Sequence, residues 1–522
     1  MPPVGRSGKY RLPGGQNTCR SPRRNNGQIG TVTPTHRLRV AGGAGGPLGP
    51  AAETRRGAGA SRLAGLIGLV GITVSVVFVT AGSASKPSAY VPARYGGWPH
   101  WLAGPFEGLD VGISAGSFQA FMLLMCASYL AVLLLARRLP MGAIAAAIVC
   151  THAVLLLGPP LISQDVFGYL DFARLGALHG LDPYTHVAAD APTDPAFQFV
   201  GWFYEHSPYG PLFTLASYAV APLGLAAGLW ALKGVAVAAS LAGIALVTAA
   251  AGRLGRSRRW AAVFVGLNPV LLVMAVGGAH NDTLVMMLLG AAVLLAAAGS
   301  PRLRSACAAM AVGVGIKVTA GLALPFIILA ARGTRERLKL AGAAVLFLIG
   351  IGVIALIGFG VHALGFLNAI SEQQQMVATH SIPAETARWF GVSGTPNWWR
   401  HIFLAGFVLV LALALWRTAR GADWRVAAGW TTLALLFSTA WLLPWYVIWV
   451  LPLAAVSGNR RLCVATLVFC AYAVLIHLPL ANPLLSPPLP SHRHHTAAIQ
   501  TGNGVDFARF QVPRDITVDL RR

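Results

Sequence analysis

Long apolar runs constrain this chain more than any other feature. Stretches of about 18 or more residues with almost no charge recur between residues 63 and 481, the length a transmembrane helix requires. Only 11% of the 522 residues are charged and 55% are hydrophobic, whereas an ordinary soluble domain is about 25% charged. In hydrocarbon every backbone polar group must be satisfied within the spanning structure, which leaves helices or closed barrels. Barrel strands alternate polar and apolar residues over about ten positions, and these runs do not. The sequence predicts an all-α polytopic membrane protein.

The net charge of +23 would suit nucleic acid, but its distribution argues against that partner. Basic residues gather in the amino-terminal stretch and in short loops: Arg137 and Arg138, the run 253–259, Arg302 and Arg304, the run 332–339, Arg417 to Arg425, and Arg460 with Arg461. This is the pattern of cytoplasmic loops. Residues 1–62 read as a disordered basic cytoplasmic tail, 63–481 as the transmembrane domain, and 482–522 as an extracytoplasmic tail.

Loop charge and parity place spans near 63–82, 117–136, 142–161, 225–251, 260–277, 283–299, 340–363, 402–418, 426–443 and 462–481. A short helix at 211–223 and a partial helix at 445–457 complete the path. The stretch 305–331 begins and ends beside basic loops, so a helical hairpin with Lys317 near its tip is expected. The total is about 12–13 membrane segments, some partial, with outer-face loops at 162–208 and 364–400. Pro444 is expected to end the span before it. FGYLDFARLGALHG reads as an amphipathic helix lying on the membrane surface.

Polar clusters recur at similar depth: SQDVFGYLDFARLG, HSPYG, GGAHND, Lys317 within GIKVTAG, and LLPWY. A carboxylate at the mouth of a span is costly unless it meets water, a partner or a substrate. Asp165 is therefore the candidate general base toward a hydroxyl arriving from the watery side. The rival reading is a helix cap or an ion pair with Arg174. Asp171 reads as part of a solvated face, and Asp182 as the shaper of a turn with Pro183.

His280, Asn281 and Asp282 follow two glycines, which permit close backbone approach, and form either a binding edge or a helix cap. His280 with Asp282 is compatible with a divalent metal, although the spacing is not diagnostic. Lys317 is a candidate phosphate ligand or a snorkelling lysine. Arg174, Arg388 and Arg400 are rival phosphate ligands. Tyr184, Trp202, Tyr209, Trp389, Trp398, Trp399, Trp445 and Tyr446 suit an interfacial belt, or a groove in which aromatic faces stack on sugar rings. The sequence has no GxGxxG and no phosphate-binding P-loop, so an activated substrate has to arrive in the membrane. The six cysteines show no metal-ligand spacing and predict no disulfide.

SQDVFGYLDFARLGALHGLDPYTH, HSPYGPLF, GLNPVLLVMAVGGAHNDTLVMM, GIKVTAGLALPF, FGVSGTP and LPWYVIWVLPLA, in this order through about 60–481, together resemble the polyprenol-phosphate-mannose-dependent α-1,6-mannosyltransferases of actinobacteria. The QDV…GLDPYT block with GGAHND carries most of the specificity. FGYLDFAR stands where a more polar stretch ending in a Gly-Arg pair belongs to that family's pattern. The resemblance implies a GT-C-like bundle in the plasma membrane with its active site on the extracytoplasmic side. It implies a polyprenyl-phosphate-sugar donor and a lipid-anchored mannan acceptor. Asp165 corresponds to the family's acidic residue in the first outer loop, and His280, Asn281, Asp282 and Lys317 to its other polar segments. Arg174, Tyr184, Tyr209, Trp445 and Tyr446 remain candidate substrate contacts. The resemblance points to no particular cofactor and leaves a divalent metal open. The alternatives are transfer of another sugar such as arabinose, or a lipid-sugar transporter. Polar residues gathered at one face rather than at the bilayer midplane favour an enzyme over a transporter.

Overall fold

The computed structural model describes residues 50–84, 90–91, 99–109 and 111–478. The carboxyl-terminal tail, and the amino-terminal tail up to residue 49, lie outside the described residues. Among the described residues every regular element is helical. Helix α1 (Pro50–Ala84) begins thirteen residues before the expected span at 63, in an alanine-rich stretch of good helix formers. Helices α2 (Ala115–Leu135) and α3 (Met141–Leu157) follow, then α4 (Asp165–His179). The pair α5 (Pro211–Ser217) and α6 (Gly224–Arg253) are joined by a 3-10 turn, Tyr218–Leu223.

Helix α7 (Arg258–Gly266) breaks at Asn268 and Pro269 and continues, bent by 45°, as a π-helical turn Val270–Val276. Then come α8 (Asp282–Ala297) and α9 (Leu303–Ile316). At Lys317 the backbone becomes extended (φ −152°, ψ 123°) before a 3-10 turn, Val318–Ala323, and α10 (Leu324–Leu329). The expected interruption of 305–331 therefore falls at Lys317. The remaining helices are α11 (Thr334–Phe359), α12 (Gly365–Gln375), α13 (Ile382–Trp389), α14 (Asn397–Ala419), α15 (Trp424–Ser438), α16 (Leu451–Ser457) and α17 (Arg460–Leu475).

Among the described residues, five helical stretches are long and apolar enough to cross a bilayer: Gly59–Ala84, Ala115–Arg138, Pro211–Arg253, Thr334–Gln375 and Asn397–Ala419. The bent pair around Asn268 makes a sixth candidate. By contrast α3, α8 and α9 have 17, 16 and 14 residues. At about 1.5 Å per residue they reach roughly 21–26 Å, short of the ~30 Å hydrocarbon core. All three have one end at the polar clusters.

The basic loops share the opposite end. Arg259 donates to the Arg137 carbonyl at 3.0 Å and Arg337 to the Ala419 carbonyl at 3.0 Å. Arg138 bonds Ser61, and the Arg256 guanidinium lies over Gly458. Between apolar helices in lipid, association depends on close packing rather than on water exclusion. The contact of α6 with α8 illustrates it: a Cβ on Gly290 would lie 3.3 Å from the Gly243 carbonyl oxygen. Helices α11 and α14 present Leu346, Ile357 and Leu409 outward, as a lipid-facing surface requires.

Two expectations are corrected. Helix α4 forms, but it does not lie on a surface. Val166 to Ala173 are buried without a break, Asp171 is 1% exposed, and Phe167 stacks on Phe199 at 5.0 Å. A helix apolar on nearly every side is a buried helix. Pro444 does not end the preceding helix either. Helix α15 stops at Ser438, residue Ala440 receives the Ala378 N–H at 2.8 Å, and Pro444 opens the 3-10 turn Pro444–Trp449, where its missing N–H costs nothing.

Candidate functional site

The site begins where the chain is strained. The π turn ends in five-residue hydrogen bonds, Gly277 N–H to Leu272 O at 2.8 Å and His280 N–H to Ala275 O at 2.9 Å. Such turns concentrate at functional sites. Ala279 then adopts φ +56° and Ile162 φ +67°, a left-handed region that costs a non-glycine residue on the order of 1–3 kcal/mol. For β-branched Ile162 it is an outlier. The Leu161 N–H donates to Gly277 O at 2.9 Å and ties the two strained segments together.

Those turns aim two side chains at each other. His280 Nδ1 lies 3.3 Å from Asp165 Oδ2. At that separation the two are in contact without a well-directed hydrogen bond, and neither ring nitrogen has a hydrogen-bond partner. The imidazole is fully buried and stacks on Trp445 with centroids 3.6 Å apart and planes at 19°. A Cβ at position 278 would stand 2.5 Å from His280 Nε2, so only glycine leaves room for the ring. Ser163 Oγ accepts the Asp165 N–H at 3.1 Å. Burial pushes the Asp165 carboxyl pKa up, but His280, Lys317 and Ser163 outweigh it and hold the group below the usual carboxylate range. Asp165 is therefore ionised at neutral pH, as a general base must be.

A second pair lies beside the first. Lys317 Nζ reaches Asp282 Oδ1 at 2.9 Å and Oδ2 at 3.0 Å. The Trp449 indole N–H donates to the same Oδ1 at 2.8 Å. The ammonium also lies over the rings of Tyr446 (4.7 Å) and Trp449 (5.4 Å), which stack on each other at 4.5 Å. Asp282 is fully buried, whereas the Lys317 side chain is 14% exposed. The Lys317 turn is held by Gly210, whose N–H donates to Ile316 O at 2.9 Å. A Cβ on Gly210 would collide with the Gly315 carbonyl oxygen at 2.4 Å.

Tyr169 links the elements. Its hydroxyl donates to Asn281 Oδ1 and accepts the Asn281 N–H, both at 3.4 Å, and its ring meets Tyr209 edge-on at 4.8 Å. Asn281 Nδ2, Trp445 Nε1 and Ser207 Oγ are buried and lack a partner. Buried polar groups are nearly always satisfied, so this shell has bonding capacity for a ligand.

The structure thus brings together Asp165, His280, Asn281, Asp282, Lys317, Tyr209, Trp445 and Tyr446. It does not bring in Arg174, which bonds Asp194 at 2.8 and 3.1 Å, with His179 on the same carboxylate at 2.7 Å. Arg388 likewise pairs with Glu385 at 2.5 Å. Tyr184 donates to the Tyr209 carbonyl at 2.9 Å and to Thr214 at 3.1 Å, and so supports the Tyr209 turn from behind. The Asp182 turn forms, with Asp182 Oδ1 accepting the Tyr184 N–H at 2.9 Å.

Asp171 is buried with one carboxylate oxygen unpartnered, not solvated, and burial with nearby Asp194 pushes its pKa up to about 7. His280 and Asp282 do not pair, because both Asp282 oxygens are taken by Lys317 and Trp449. Among the described residues no three His, Cys, Asp or Glu side chains are grouped to hold a metal. Tyr169 and Trp449 were not singled out from the sequence. Tyr169 sits four residues after Asp165, hence on the same helical face, which is the signal that could have found it.

The family model described as alpha-(1->6)-mannopyranosyltransferase, N-terminal domain, matches residues 62–333. That stretch contains Asp165, His280, Asp282 and Lys317, but not the 444–449 turn. The chain is 30% identical over 352 residues to alpha-(1->6)-mannopyranosyltransferase A of Mycobacterium tuberculosis, covering 60% of this chain and 65% of that one. It is 30% identical over 184 residues to alpha-(1->6)-mannopyranosyltransferase A of Corynebacterium glutamicum, covering 33% and 36%. The matched stretch spans less than two thirds of the length of these curated relatives. No solved structure matches the chain.

Proposed function

The chain belongs to the alpha-(1->6)-mannopyranosyltransferase family, and from that premise we propose that it is an integral-membrane mannosyltransferase. It moves mannose from a polyprenyl-phosphate-mannose donor to a lipid-anchored mannan acceptor, forming an α-1,6 linkage with inversion. The reaction takes place at the extracytoplasmic face of the plasma membrane, with the amino terminus inside. The observation that carries this reading is the juxtaposition of the Asp165–His280 and Lys317–Asp282 pairs at the end of the bundle away from the basic loops.

Depth supports a lipid-borne donor. Helix α9 rises roughly 21 Å from the basic end to Lys317. If the basic end marks the cytoplasmic face, the ammonium lies within the outer leaflet, about 9 Å below the outer boundary of the ~30 Å hydrocarbon core. In the reaction, Asp165 takes the proton of the acceptor's 6-hydroxyl. The freed oxygen pair attacks the anomeric carbon from the side opposite the phosphate. The bond from that carbon to the phosphate oxygen breaks with its electron pair leaving on the phosphate, beside Lys317. A β-linked donor becomes an α-linked product in one displacement, through an oxocarbenium-like transition state. His280 holds the Asp165 carboxylate in place, and its ring is fixed in turn by Trp445.

The test supplies membranes carrying this chain with a short α-1,6-mannoside acceptor and labelled mannose on either polyprenyl phosphate or a nucleotide. The reading expects a 6-linked product from the lipid donor alone. Transfer from the nucleotide sugar, or label crossing the membrane without a new glycosidic bond, overturns it.

A further inference from the structure

We propose that Asp282 is a specificity-determining residue that sets how much charge the donor's phosphate can carry, admitting a singly charged phosphodiester and turning away a diphosphate. The inference rests on the reading of the site as a lipid-phosphate-sugar transferase.

The argument is one of charge. Two carboxylates, Asp165 and Asp282, serve this site, and Lys317 is bonded to Asp282 through both oxygens. Lys317 plus Asp282 is neutral as a pair. Two of the three arginines offered as phosphate ligands, Arg174 and Arg388, are committed to Asp194 and Glu385. An incoming phosphate therefore meets an ammonium whose field is already half spent. A phosphodiester carrying one charge can share that ammonium with Asp282, whereas a diphosphate brings further charge against a fixed carboxylate. Asp282 cannot swing aside, because the Trp449 N–H pins Oδ1 at 2.8 Å and the residue is fully buried. In a partly buried site, each like charge within a few ångströms costs at least about tenfold in binding.

The same carboxylate assists the end of the cycle. When the anomeric carbon–oxygen bond breaks, the phosphodiester becomes a monoester, and its charge rises from one to about two at neutral pH. The leaving lipid phosphate is then less welcome beside Asp282 than the donor was, which favours its release.

Three ligands of one alkyl chain test this: the methyl phosphodiester, the phosphate monoester and the diphosphate, with affinities measured by direct binding to the purified full chain in detergent. Wild type is expected to bind the diester best and the diphosphate at least about tenfold more weakly. Asp282→Asn should narrow that gap at least tenfold. Trp449→Phe, which removes the N–H that pins the carboxylate but keeps its charge, should narrow the gap less than Asp282→Asn does. A wild-type protein that prefers the diphosphate overturns the proposal even if Asp282→Asn fails to fold. Unchanged ratios in Asp282→Asn, or a shift in Trp449→Phe as large as in Asp282→Asn, overturn it as well. Transfer from polyprenyl-phosphate-mannose without this ranking sinks the charge argument and spares the function. The ranking without such transfer does the reverse.

Discussion

Asp165 Oδ2 and His280 Nδ1 meet at 3.3 Å, and each residue follows closely on a non-glycine residue in left-handed backbone, Ile162 at φ +67° and Ala279 at φ +56°. The Leu161 N–H to Gly277 O bond joins the two bends, so each holds the other in place. Strain of this kind persists only where the surrounding structure over-determines it. Here the fully buried π turn Val270–Val276 supplies that rigidity.

Position 279 should therefore be intolerant of branching. Ala279→Val is expected to lower stability by about 2 kcal/mol or more, and Ala279→Gly to be close to neutral, because relief of strain offsets the added chain entropy. Thermal unfolding of the purified variants in one detergent reads the difference. Equal melting of the Val and Gly variants would contradict the strain.

At Gly210 the approach of two backbones leaves no room for a side chain, with the Gly315 carbonyl oxygen 2.4 Å from a Cβ. Gly210→Ala must displace the Gly210–Ile316 hydrogen bond and with it the Lys317 turn. Donor KM should rise at least tenfold, with a smaller change in acceptor KM, in a steady-state assay that varies each substrate in turn.

Removing one member of a buried ion pair leaves the other unpaired, at a cost of about 3–5 kcal/mol. Lys317→Met strands the Asp282 carboxylate and should destabilise by that order. Lys317→Met with Asp282→Asn should regain most of the stability while remaining inactive. If the double variant unfolds no later than Lys317→Met alone, the pairing does not hold in the membrane.

Much of this arrangement was legible before any coordinates. The broken stretch around Lys317, the short helix before α6, and the polar segments that converge on the site followed from apolar run length and loop charge. The burial of α4 did not. Its two acids and one arginine suggested a wet face, but Arg174 and Asp194 satisfy each other across the fold, and partners 20 residues apart are invisible to local pattern. Pro444 misled because proline both ends and begins helices. Trp449 was passed over because an indole four positions from Trp445 in an apolar run looks like any membrane tryptophan until its N–H finds Asp282.

Asp171 offers a pH test independent of catalysis. Its carboxyl moves from 3.8 to about 7 on burial, so between those values the folded chain binds a proton that the unfolded chain has released. Stability must then fall as pH rises from about 4 to 7. Asp171→Asn carries no such titration. It should match wild type below about pH 4 and melt higher than wild type above pH 7. Parallel melting curves across that range would show that Asp171 is not held protonated.

The most direct measurement is turnover of Asp165→Asn in membranes supplied with labelled polyprenyl-phosphate-mannose and a mannoside acceptor. The amide keeps the size and the Ser163 contact but cannot take a proton, so kcat should drop by about 10²–10⁴-fold while donor KM changes little. Turnover near the wild-type rate would contradict Asp165 as the base, and with it the site built around the Asp165–His280 pair.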